Sequence, residues 1–469
     1  MKKKKIKAEP IVSVSGIRGI YGESLTIPVA SEYALAFAQY CLKYSKSRKI
    51  FIGRDGREKG EEISAVVVSV LLISGFEVID IGVVPTPTVQ LATEKSKAAG
   101  GIAITASHNP QQWNGLKFLN ADGTFLTGEQ IKELKDNYVK KNFGFINLEN
   151  YSSVKEDTTW LEKHIKYCLK PSLVNINVVR KRKFKVVVDA VNAAGSVIVP
   201  KLLKELGCVV IELFCDGSGK FPHTPEPIPE NLTLLSKAVL KHKANLGISV
   251  DPDSDRLVLI MENGKPYMEE YTIVTVIKNV LKNSPKVYKK VAVNMSTTRA
   301  VEDIAAEFGA KVFRSAVGEI NVVNEMKLNH VTVGGEGSGG VIIPSVHYGR
   351  DAIAGICIVL NEFADFKGKV SDYRKTLPEY HIIKDKIEVR SSPDKIFSLI
   401  TAKYKKAGCK MSMTDGLKLD FPDYWIHLRK SNTEPIIRII TEAKTKAKAE
   451  ALQKNFVNEV RKMLSSTKG

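Results

Sequence analysis

Three aspartates alternate along one short segment: Asp251, Asp253 and Asp255 in the run D-P-D-S-D-R, here called the aspartate loop. Pro252 stiffens this run, so the three carboxylates can turn toward a common point. Carboxylates brought this close repel one another unless a cation lies between them. Because the ligands are hard oxygens without histidine or cysteine, the pattern favours Mg2+ over zinc and leaves coordination positions for phosphate oxygens.

A serine lies in a second unusual segment, T-A-S-H-N-P at residues 105–110, here called the serine loop. Ser107 stands between Ala106 and His108 at the end of an apolar run. A serine hydroxyl needs a base or a metal to become a nucleophile, and the aspartate loop would supply the metal. A Ser-His pair alone does not indicate catalysis, so this prediction requires the two loops to meet.

A glycine-rich segment, G-G-E-G-S-G-G at residues 334–340, is called the sugar loop here. It keeps one carboxylate, Glu336, and one hydroxyl, Ser338, on a backbone that a ligand can approach closely. A carboxylate accepts hydrogen bonds from vicinal hydroxyls, so the combination is suited to a sugar. A plain flexible turn is the competing interpretation.

The last such segment is R-K-S-N-T-E-P at residues 429–435, here called the arginine loop. An arginine binds a phosphate dianion with two charge-assisted hydrogen bonds, and small polar residues satisfy the remaining oxygens. The competing interpretation is a capping turn with an exposed arginine. The predicted phosphate-binding residues are Arg429, Ser431, Asn432 and Thr433.

Three of these loops end repeats of one pattern, in which a basic residue opens a short apolar strand, a helix follows, and two more strands come later. Ligands bind beyond the carboxyl ends of such strands, so three units with one loop each predict a single shared cleft. Three independent domains with ordinary turns are the alternative. The predicted strands are 49–53, 76–81 and 101–104 in the first unit, 185–189, 208–214 and 246–250 in the second, and 290–294, 311–315 and 331–333 in the third.

The region after about residue 366 loses this rhythm and mixes short strands with a terminal helix, so it is predicted to be a separate α+β domain. The predicted fold is therefore α/β, with three related α/β domains around a central cleft and a C-terminal α+β domain. The predicted domains are 1–155 with the serine loop, 156–258 with the aspartate loop, 259–368 with the sugar loop, and 369–469 with the arginine loop.

The composition is that of a globular protein, with 43% hydrophobic and 26% charged residues in 469. No apolar run approaches a bilayer span, and the N-terminal lysines precede no apolar signal segment, so we expect a cytoplasmic protein without a membrane partner. The net charge of +19 raises the possibility of nucleic-acid binding. The basic residues are scattered without aromatic residues between them, which favours solubility and attraction of anionic substrates instead.

Taken together, the segments resemble the α-D-phosphohexomutase superfamily over nearly the whole chain and in the expected order. The resemblance implies a C-terminal domain with a TATA-binding-protein-like fold. It also implies a Mg2+-dependent enzyme that interconverts hexose 6-phosphate and hexose 1-phosphate through a phosphoserine and a bisphosphorylated intermediate. The segments that carry it are S-G-I-R-G at 15–19, the serine loop, the aspartate loop, G-E-G-S-G at 335–339 and the arginine loop.

The resemblance also implies a role for each residue. Ser107 matches the phosphoserine, and Asp251, Asp253 and Asp255 with one oxygen of the Ser107 phosphate would bind Mg2+. Glu336 and Ser338 would hold sugar hydroxyls, and the four polar residues of the arginine loop would hold the phosphate that does not react. Arg18 matches an arginine near the phosphoserine, Lys117 a lysine implicated in proton transfer, and His108 is a further catalytic candidate.

The chain departs from the family pattern at one position. Many members have a histidine directly after G-E-G-S-G, and this chain has Gly340 there. His108 or His347 are the candidates to replace it. Residues 221–227 and 346–351 look most like the bacterial phosphoglucosamine mutase branch, which favours glucosamine 6-phosphate as the substrate. Phosphomannomutase or phosphoglucomutase activity is the alternative, and a noncatalytic sugar-phosphate-binding protein is the alternative from another class. A monomer or a homodimer is expected.

Overall fold

The computed structural model describes residues 9–141, 143, 153–285, 287, 289–389, 393–430 and 436–466. Four sheets follow one another along this part of the chain, with seven, four, four and five strands. None of the described helices combines the length and the apolar character needed to cross a membrane.

The first sheet has the strand order β1-β2-β6-β5-β3-β4-β7 and mixes parallel with antiparallel pairs. Helix α1 begins at a Thr26 cap, and α4 begins at a capping box formed by Thr127 and Gln130. The elements are β1 Ile11–Ser13, β2 Gly16–Ile20, α1 Ile27–Tyr44, β3 Lys49–Arg54, α2 Gly60–Ile73, β4 Glu77–Val83, α3 Thr86–Lys95, β5 Gly100–Ile104, β6 Trp113–Leu119, α4 Gly128–Lys140 and β7 Val154–Glu156.

The second sheet has the order β11-β10-β8-β9, in which only the β10–β11 pair is antiparallel among the described strands. Its central strands are apolar and buried, as expected for a parallel sheet covered on both faces. The elements are α5 Trp160–Cys168, α6 Ile176–Arg182, β8 Lys185–Asp189, α7 Gly195–Glu205, β9 Val209–Phe214, α8 Thr233–Lys241, β10 Leu246–Val250 and β11 Leu257–Met261, with a short 3-10 turn at Pro229–Asn231.

The third sheet repeats this arrangement in the order β13-β12-β14-β15. Helix α12 begins at an Asp351 cap, and nearly all of its residues are buried. The elements are α9 Glu270–Asn283, β12 Lys290–Asn294, α10 Ala300–Glu307, β13 Lys311–Ser315, α11 Glu319–Asn329, β14 Val333–Glu336, β15 Gly340–Ile342, α12 Ala352–Phe366 and α13 Val370–Lys375.

The fourth sheet is antiparallel throughout its described pairs and has the order β16-β20-β19-β18-β17. Helix α15 packs on β16 and β20, and the sheet and its helices bury a core of their own that includes Leu428 and Val460. The elements are β16 His381–Glu388, α14 Pro393–Tyr404, β17 Lys410–Ser412, β18 Leu417–Asp420, β19 Tyr424–Lys430, β20 Ile436–Ala443 and α15 Lys446–Ser466.

The first three units share the predicted repeat. In each, the first strand pairs in parallel with the second on one side and with the third on the other, as in β4-β3-β5, β9-β8-β10 and β13-β12-β14. One continuous apolar core joins the units, because Phe51, Val188 and Val293 belong to the same buried cluster. The three units are therefore packed against one another and are not independent domains.

The domain boundaries from the sequence stay a prediction, with one adjustment that we propose. The expected boundary after residue 258 falls inside β11, which pairs with β10 over its whole length from Leu257 to Met261. Cutting a paired strand would expose its hydrogen-bonding groups. We therefore propose that the second domain extends to Met261.

Candidate active site

The serine and aspartate loops meet between the first and second sheets. The hydroxyl of Ser107 donates a hydrogen bond of 2.8 Å to Oδ2 of Asp251, across 144 residues of sequence. Ser107 is 1% exposed and Asp251 is fully buried. The loops lie directly after β5 and β10, so the carboxyl ends of these strands bring the two side chains together.

The backbone of Ser107 adopts a left-handed conformation, with φ of +49°. For a residue with a Cβ atom this conformation costs about 1 kcal/mol and persists where surrounding contacts determine it. The N–H of Ser107 donates to the hydroxyl of Thr105 at 2.8 Å, and its carbonyl accepts from Arg57. Arg57 and Thr105 both bind Oδ2 of Asp55. The hydroxyl is thus aimed by a buried hydrogen-bonded scaffold.

The aspartate loop gathers its three carboxylates so that one oxygen from each lies within 4.8 Å of the others. Lys117 approaches them from β6, with Nζ at 2.5 Å from Oδ2 of Asp253 and 3.4 Å from Oδ2 of Asp255. Thr86 donates to the same oxygen of Asp253 at 2.6 Å. Among the described residues, Oδ1 of Asp253 and Oδ1 of Asp255 are buried without a hydrogen-bond donor.

Asp251 and Asp253 have pKa values that are shifted in opposite directions. Burial, together with the nearby charges of Asp255 and Asp253, raises the pKa of Asp251 well above its usual range. Burial also acts to raise the pKa of Asp253, but the charge and hydrogen bond of Lys117 outweigh it and hold that pKa below the usual range. Two buried carboxylate oxygens without donors, in a set of hard oxygen ligands, fit a divalent cation such as Mg2+.

Arg18 and His108 lie beside the serine. Arg18, on β2, donates from Nη1 to the side chain of Asn109 at 3.2 Å, and within the described part of the chain its Nε has no acceptor. Nδ1 of His108 is 3.3 Å from the Ser107 hydroxyl. Burial and the charges of Arg256 and Arg18 lower the pKa of His108 well below its usual value. The lowered pKa makes this imidazole a weaker base than an ordinary histidine side chain.

Glu336, at the end of β14, is held on both oxygens. Oε1 accepts from Asn294 at 2.8 Å and from the backbone N–H of Gly318 at 3.0 Å, while Oε2 accepts from Arg350 at 2.5 Å. Burial acts to raise its pKa, but the charge of Arg350 and these hydrogen bonds keep the pKa lowered. Ser338 is half-buried in the turn between β14 and β15.

Arg429 lies at the end of β19 and contacts the third unit indirectly. Its Nε donates to Oδ2 of Asp415 at 2.6 Å, and the same oxygen accepts the backbone N–H of Val317 at 3.0 Å. The next residue, Gly318, donates to Glu336. The arginine loop is therefore linked to the sugar loop by a short hydrogen-bonded chain. The predicted contacts Ser431, Asn432 and Thr433 lie outside the described residues.

Several residues of this site were not predicted. Asp55 and Arg57 directly follow β3, and Asn294 ends β12, so the rule that ligands lie beyond strand ends would have identified them. Arg350 lies in the segment 346–351, which was noted only for its family resemblance, and no role was predicted for it. His347, considered as a replacement for the missing histidine, instead has its Nε2 3.3 Å from Asp351.

Comparison with known proteins agrees with this arrangement. Four family models match in order, described as phosphoglucomutase/phosphomannomutase α/β/α domains I, II and III and the C-terminal domain. They cover residues 10–144, 162–264, 269–380 and 387–459. The fold and the site together define a phosphohexomutase, an enzyme that moves a phosphoryl group within a sugar phosphate. The chain belongs to the phosphoglucomutase/phosphomannomutase family of the α-D-phosphohexomutase superfamily.

Individual relatives match along almost their whole length. A Thermococcus kodakarensis protein named phosphoglucomutase/phosphomannomutase is 35% identical over 436 residues, covering 92% of this chain and 94% of the relative. A probable phosphoglucosamine mutase of Pyrococcus horikoshii is 35% identical over 460 residues, covering 96% and 98%. The crystal structure of a family protein from Burkholderia thailandensis superposes with a TM-score of 0.84 at 26% identity, covering 97% and 98%.

These matches confirm the predicted fold, with its three α/β domains and its C-terminal domain, and the predicted enzyme class. Membership of this enzyme family argues against the noncatalytic interpretation. Members of the superfamily use a metal ion, and the carboxylates of the aspartate loop lie close enough together to hold one. The individual site residues, the cytoplasmic location and the monomeric or dimeric state stay predictions.

Proposed function

We propose that this protein interconverts hexose 6-phosphate and hexose 1-phosphate through a phosphorylated Ser107 and a bisphosphorylated intermediate. The observation that carries the proposal is the 2.8 Å hydrogen bond from Ser107 to Asp251, inside a group of three carboxylates and Lys117. Phosphoryl transfer to and from a serine depends on positioning and on relief of negative charge, and this group offers both.

In the first half of the proposed reaction, the bond between phosphorus and Oγ of Ser107 breaks, and a bond forms to the free hydroxyl oxygen of the substrate. That hydroxyl loses its proton, and Ser107 regains one. The sugar now carries two phosphates and turns around in the cleft. In the second half the bond between the original phosphate and its sugar oxygen breaks as a bond forms to Oγ of Ser107. Ser107 loses its proton and the sugar oxygen gains one, which restores the phosphoenzyme and releases the isomeric sugar phosphate.

We assign roles to the residues on this basis. Lys117 and the neutral His108 are the proposed groups for proton transfer near the reacting oxygens, and Arg18 is proposed to bind the transferring phosphoryl group. Mg2+ bound by Asp251, Asp253 and Asp255 would neutralise charge on that group. Glu336 and Ser338 are proposed to bind sugar hydroxyls, and Arg429 with Ser431, Asn432 and Thr433 the phosphate that does not react.

For the substrate we propose glucosamine 6-phosphate, with mannose or glucose 6-phosphate as the alternative. Relatives named phosphoglucosamine mutase support the first, and the Thermococcus relative named phosphoglucomutase/phosphomannomutase supports the second. Glu336 does not separate them, because a carboxylate accepts hydrogen bonds from a sugar hydroxyl and from an ammonium group alike. Coupled assays on the three 6-phosphates, compared by kcat/KM, test this choice directly.

The covalent route is tested with Ser107→Ala. We expect turnover to fall by at least about 10³-fold while binding of the hexose phosphate is retained, because only the nucleophile is lost. Ser249→Ala is the matched control, since Ser249 is equally buried on β10 and its hydroxyl has no partner among the described residues. Mass spectrometry should find about 80 Da of added mass on the peptide with Ser107. Near-normal turnover of Ser107→Ala would refute the route.

A further inference from the structure

Arg350 lies across Gly340, and the two residues fit each other sterically. A Cβ atom built on Gly340 would overlap Cδ of Arg350 and lie 3.0 Å from its Cγ. The backbone of Gly340 is not in the left-handed region, so its conformation does not itself require glycine. What the glycine provides at this position is space for the arginine.

The guanidinium of Arg350 joins three separate segments of the site. Nη1 donates to Oε2 of Glu336 at 2.5 Å, Nη2 to Oδ2 of Asp255 at 2.5 Å, and Nε to Oε2 of Glu319 at 3.1 Å. The side chain is 11% exposed. Its pKa is raised well above the usual value, because Asp255, Glu336 and Glu319 outweigh the effect of burial. A guanidinium is always protonated in proteins, so Arg350 is a permanent positive charge.

Three buried carboxylates would repel one another without this charge. The sugar loop and the aspartate loop belong to different units, and Arg350 binds a carboxylate from each of them directly. The orientation of Oε2 of Glu336 depends on it, because the other two donors to Glu336 both bind Oε1.

We propose that Arg350 is a further positioning residue of the mutase. It fixes the sugar-binding carboxylate Glu336 relative to the aspartate loop, and it supplies a permanent charge where residue 340 has no side chain. The inference rests on the proposed function. It also explains why Gly340 is found where a histidine was expected: the arginine fills the space of that side chain from a position ten residues later. Because a guanidinium stays protonated, Arg350 acts by charge and geometry and not by transferring a proton.

The test uses four variants of the full-length enzyme: Arg350→Ala, Arg350→Lys, Gly340→His, and Arg350→Ala combined with Gly340→His. We expect Arg350→Ala to raise KM by about 10-fold or more and to lower kcat/KM by about 100-fold, the range found for residues that orient ligand-binding groups. Arg350→Lys should recover part of this loss, because an ammonium keeps the charge without the planar fork.

The Gly340 variants test the steric relation. Gly340→His alone should lose activity, because the new side chain and Arg350 require the same space. Removing the arginine as well should restore about 10-fold or more over Gly340→His, which is the reverse of two additive losses. A double variant no better than Gly340→His would overturn the proposal, and so would an Arg350→Ala enzyme with unchanged KM.

A structural role alone would give a different result. If Arg350 only stabilised the fold, its loss would reduce the amount of active enzyme and lower the apparent kcat with KM unchanged. Calorimetric binding of glucose 6-phosphate, mannose 6-phosphate and glucosamine 6-phosphate in EDTA gives a readout without metal, and Arg350→Ala should weaken it by about 10-fold. If Arg350→Ala does not fold, the single variants Arg350→Lys and Gly340→His test the proposal instead. A raised KM in them supports it, and an unchanged KM overturns it. If the wild-type protein itself has no mutase activity, the proposed function fails, and this inference fails with it.

Discussion

Among the residues that the structure describes, two buried groups have the composition of a metal site, yet they are built differently. The first is the aspartate loop. The second, here called the histidine-aspartate cluster, consists of His164, Cys168, His347 and Asp351, of which His164, Cys168 and Asp351 lie close enough to share an ion. Both groups are almost fully buried. They differ in whether the protein itself satisfies the carboxylate oxygens.

In the histidine-aspartate cluster, both oxygens of Asp351 have donors. Oδ2 accepts from Nε2 of His164 at 2.9 Å, with Nε2 of His347 at 3.3 Å. Oδ1 caps helix α12 by accepting the backbone N–H groups of Ile353 and Ala354. The other nitrogen of His164 is 2.9 Å from the hydroxyl of Thr88. The cluster thereby connects α3 and α5 to the start of α12.

The aspartate loop is the opposite case. Oδ1 of Asp253 and Oδ1 of Asp255 have no donor within the described ranges, and Asp251 has its pKa raised by burial and by its neighbours. A cation is needed where buried oxygens remain without donors, and it is not needed where histidines and backbone amides already supply them. We therefore interpret the first group as the metal site and the second as a lock between units.

The largest effect should come from breaking the lock. Asp351→Asn leaves one carbonyl oxygen to serve both His164 and the helix cap, so one buried donor loses its acceptor. We expect a loss of about 2–4 kcal/mol in unfolding free energy, from a lost cap and an unsatisfied buried group. Urea unfolding followed by circular dichroism measures it. A stability within about 0.5 kcal/mol of wild type would show that the cluster does not lock the units.

Binding of Mg2+ should give the next effect. At 100 times its Kd, Mg2+ should stabilise the folded enzyme by about 2.7 kcal/mol, because it binds only the folded aspartate loop. Asp253→Asn should shift the titration to about 10-fold or more higher Mg2+ concentration, since one ligand charge is lost. Asp351→Asn is the matched control and should titrate like wild type. Equal shifts in both variants would remove the distinction between the two groups.

The two groups should also respond differently to acid. Burial acts to raise the pKa of Asp351, but its contacts with His164 and His347 outweigh this and lower it. A carboxyl whose pKa is lower in the folded state adds stability above its unfolded pKa of about 3.9, and this stability is lost as the pH falls toward the folded pKa. The stability difference between wild type and Asp351→Asn should therefore narrow below about pH 4. A constant difference down to complete acid unfolding would contradict the ionic role of Asp351.

The sequence was informative where signals are local. Apolar runs opened by lysine at residues 49, 185 and 290 predicted the first strand of each unit, and the helical spacing predicted parallel pairing. The antiparallel strand β15 was not predicted, because it is short and its pairing depends on a neighbouring strand of the folded sheet. The serine and aspartate loops were predicted as motifs and as strand ends.

The contacts of Arg350 could not be predicted from the sequence. Its partners Glu336 and Asp255 lie 14 and 95 residues away, so no local pattern relates them. The turn after β15 decides whether it faces the cleft. His347, three residues earlier, was a candidate for the cleft and instead contacts the lock. Two residues of one loop thus contact different buried groups, His347 the histidine-aspartate cluster and Arg350 the aspartate loop. Which group each one contacts depends on the folded backbone.

The smallest expected effect is a change in stability caused by a substitution in the aspartate loop. Asp251→Asn can keep its contacts, with the carbonyl accepting the N–H groups of Asp255 and Arg256 and the amide facing the hydroxyl of Ser107. A carboxyl whose pKa is raised in the folded state lowers stability as the pH rises above its unfolded pKa. The substitution should therefore stabilise the metal-free enzyme by about 0.5–1 kcal/mol near pH 8, and by less near pH 5, because it removes like-charge repulsion. Thermal unfolding in EDTA measures this gain, and saturating Mg2+ should reverse it, because wild type then gains a ligand charge that the variant lacks. Destabilisation in EDTA at both pH values would mean that Asp251, like Asp351, is held by the protein alone.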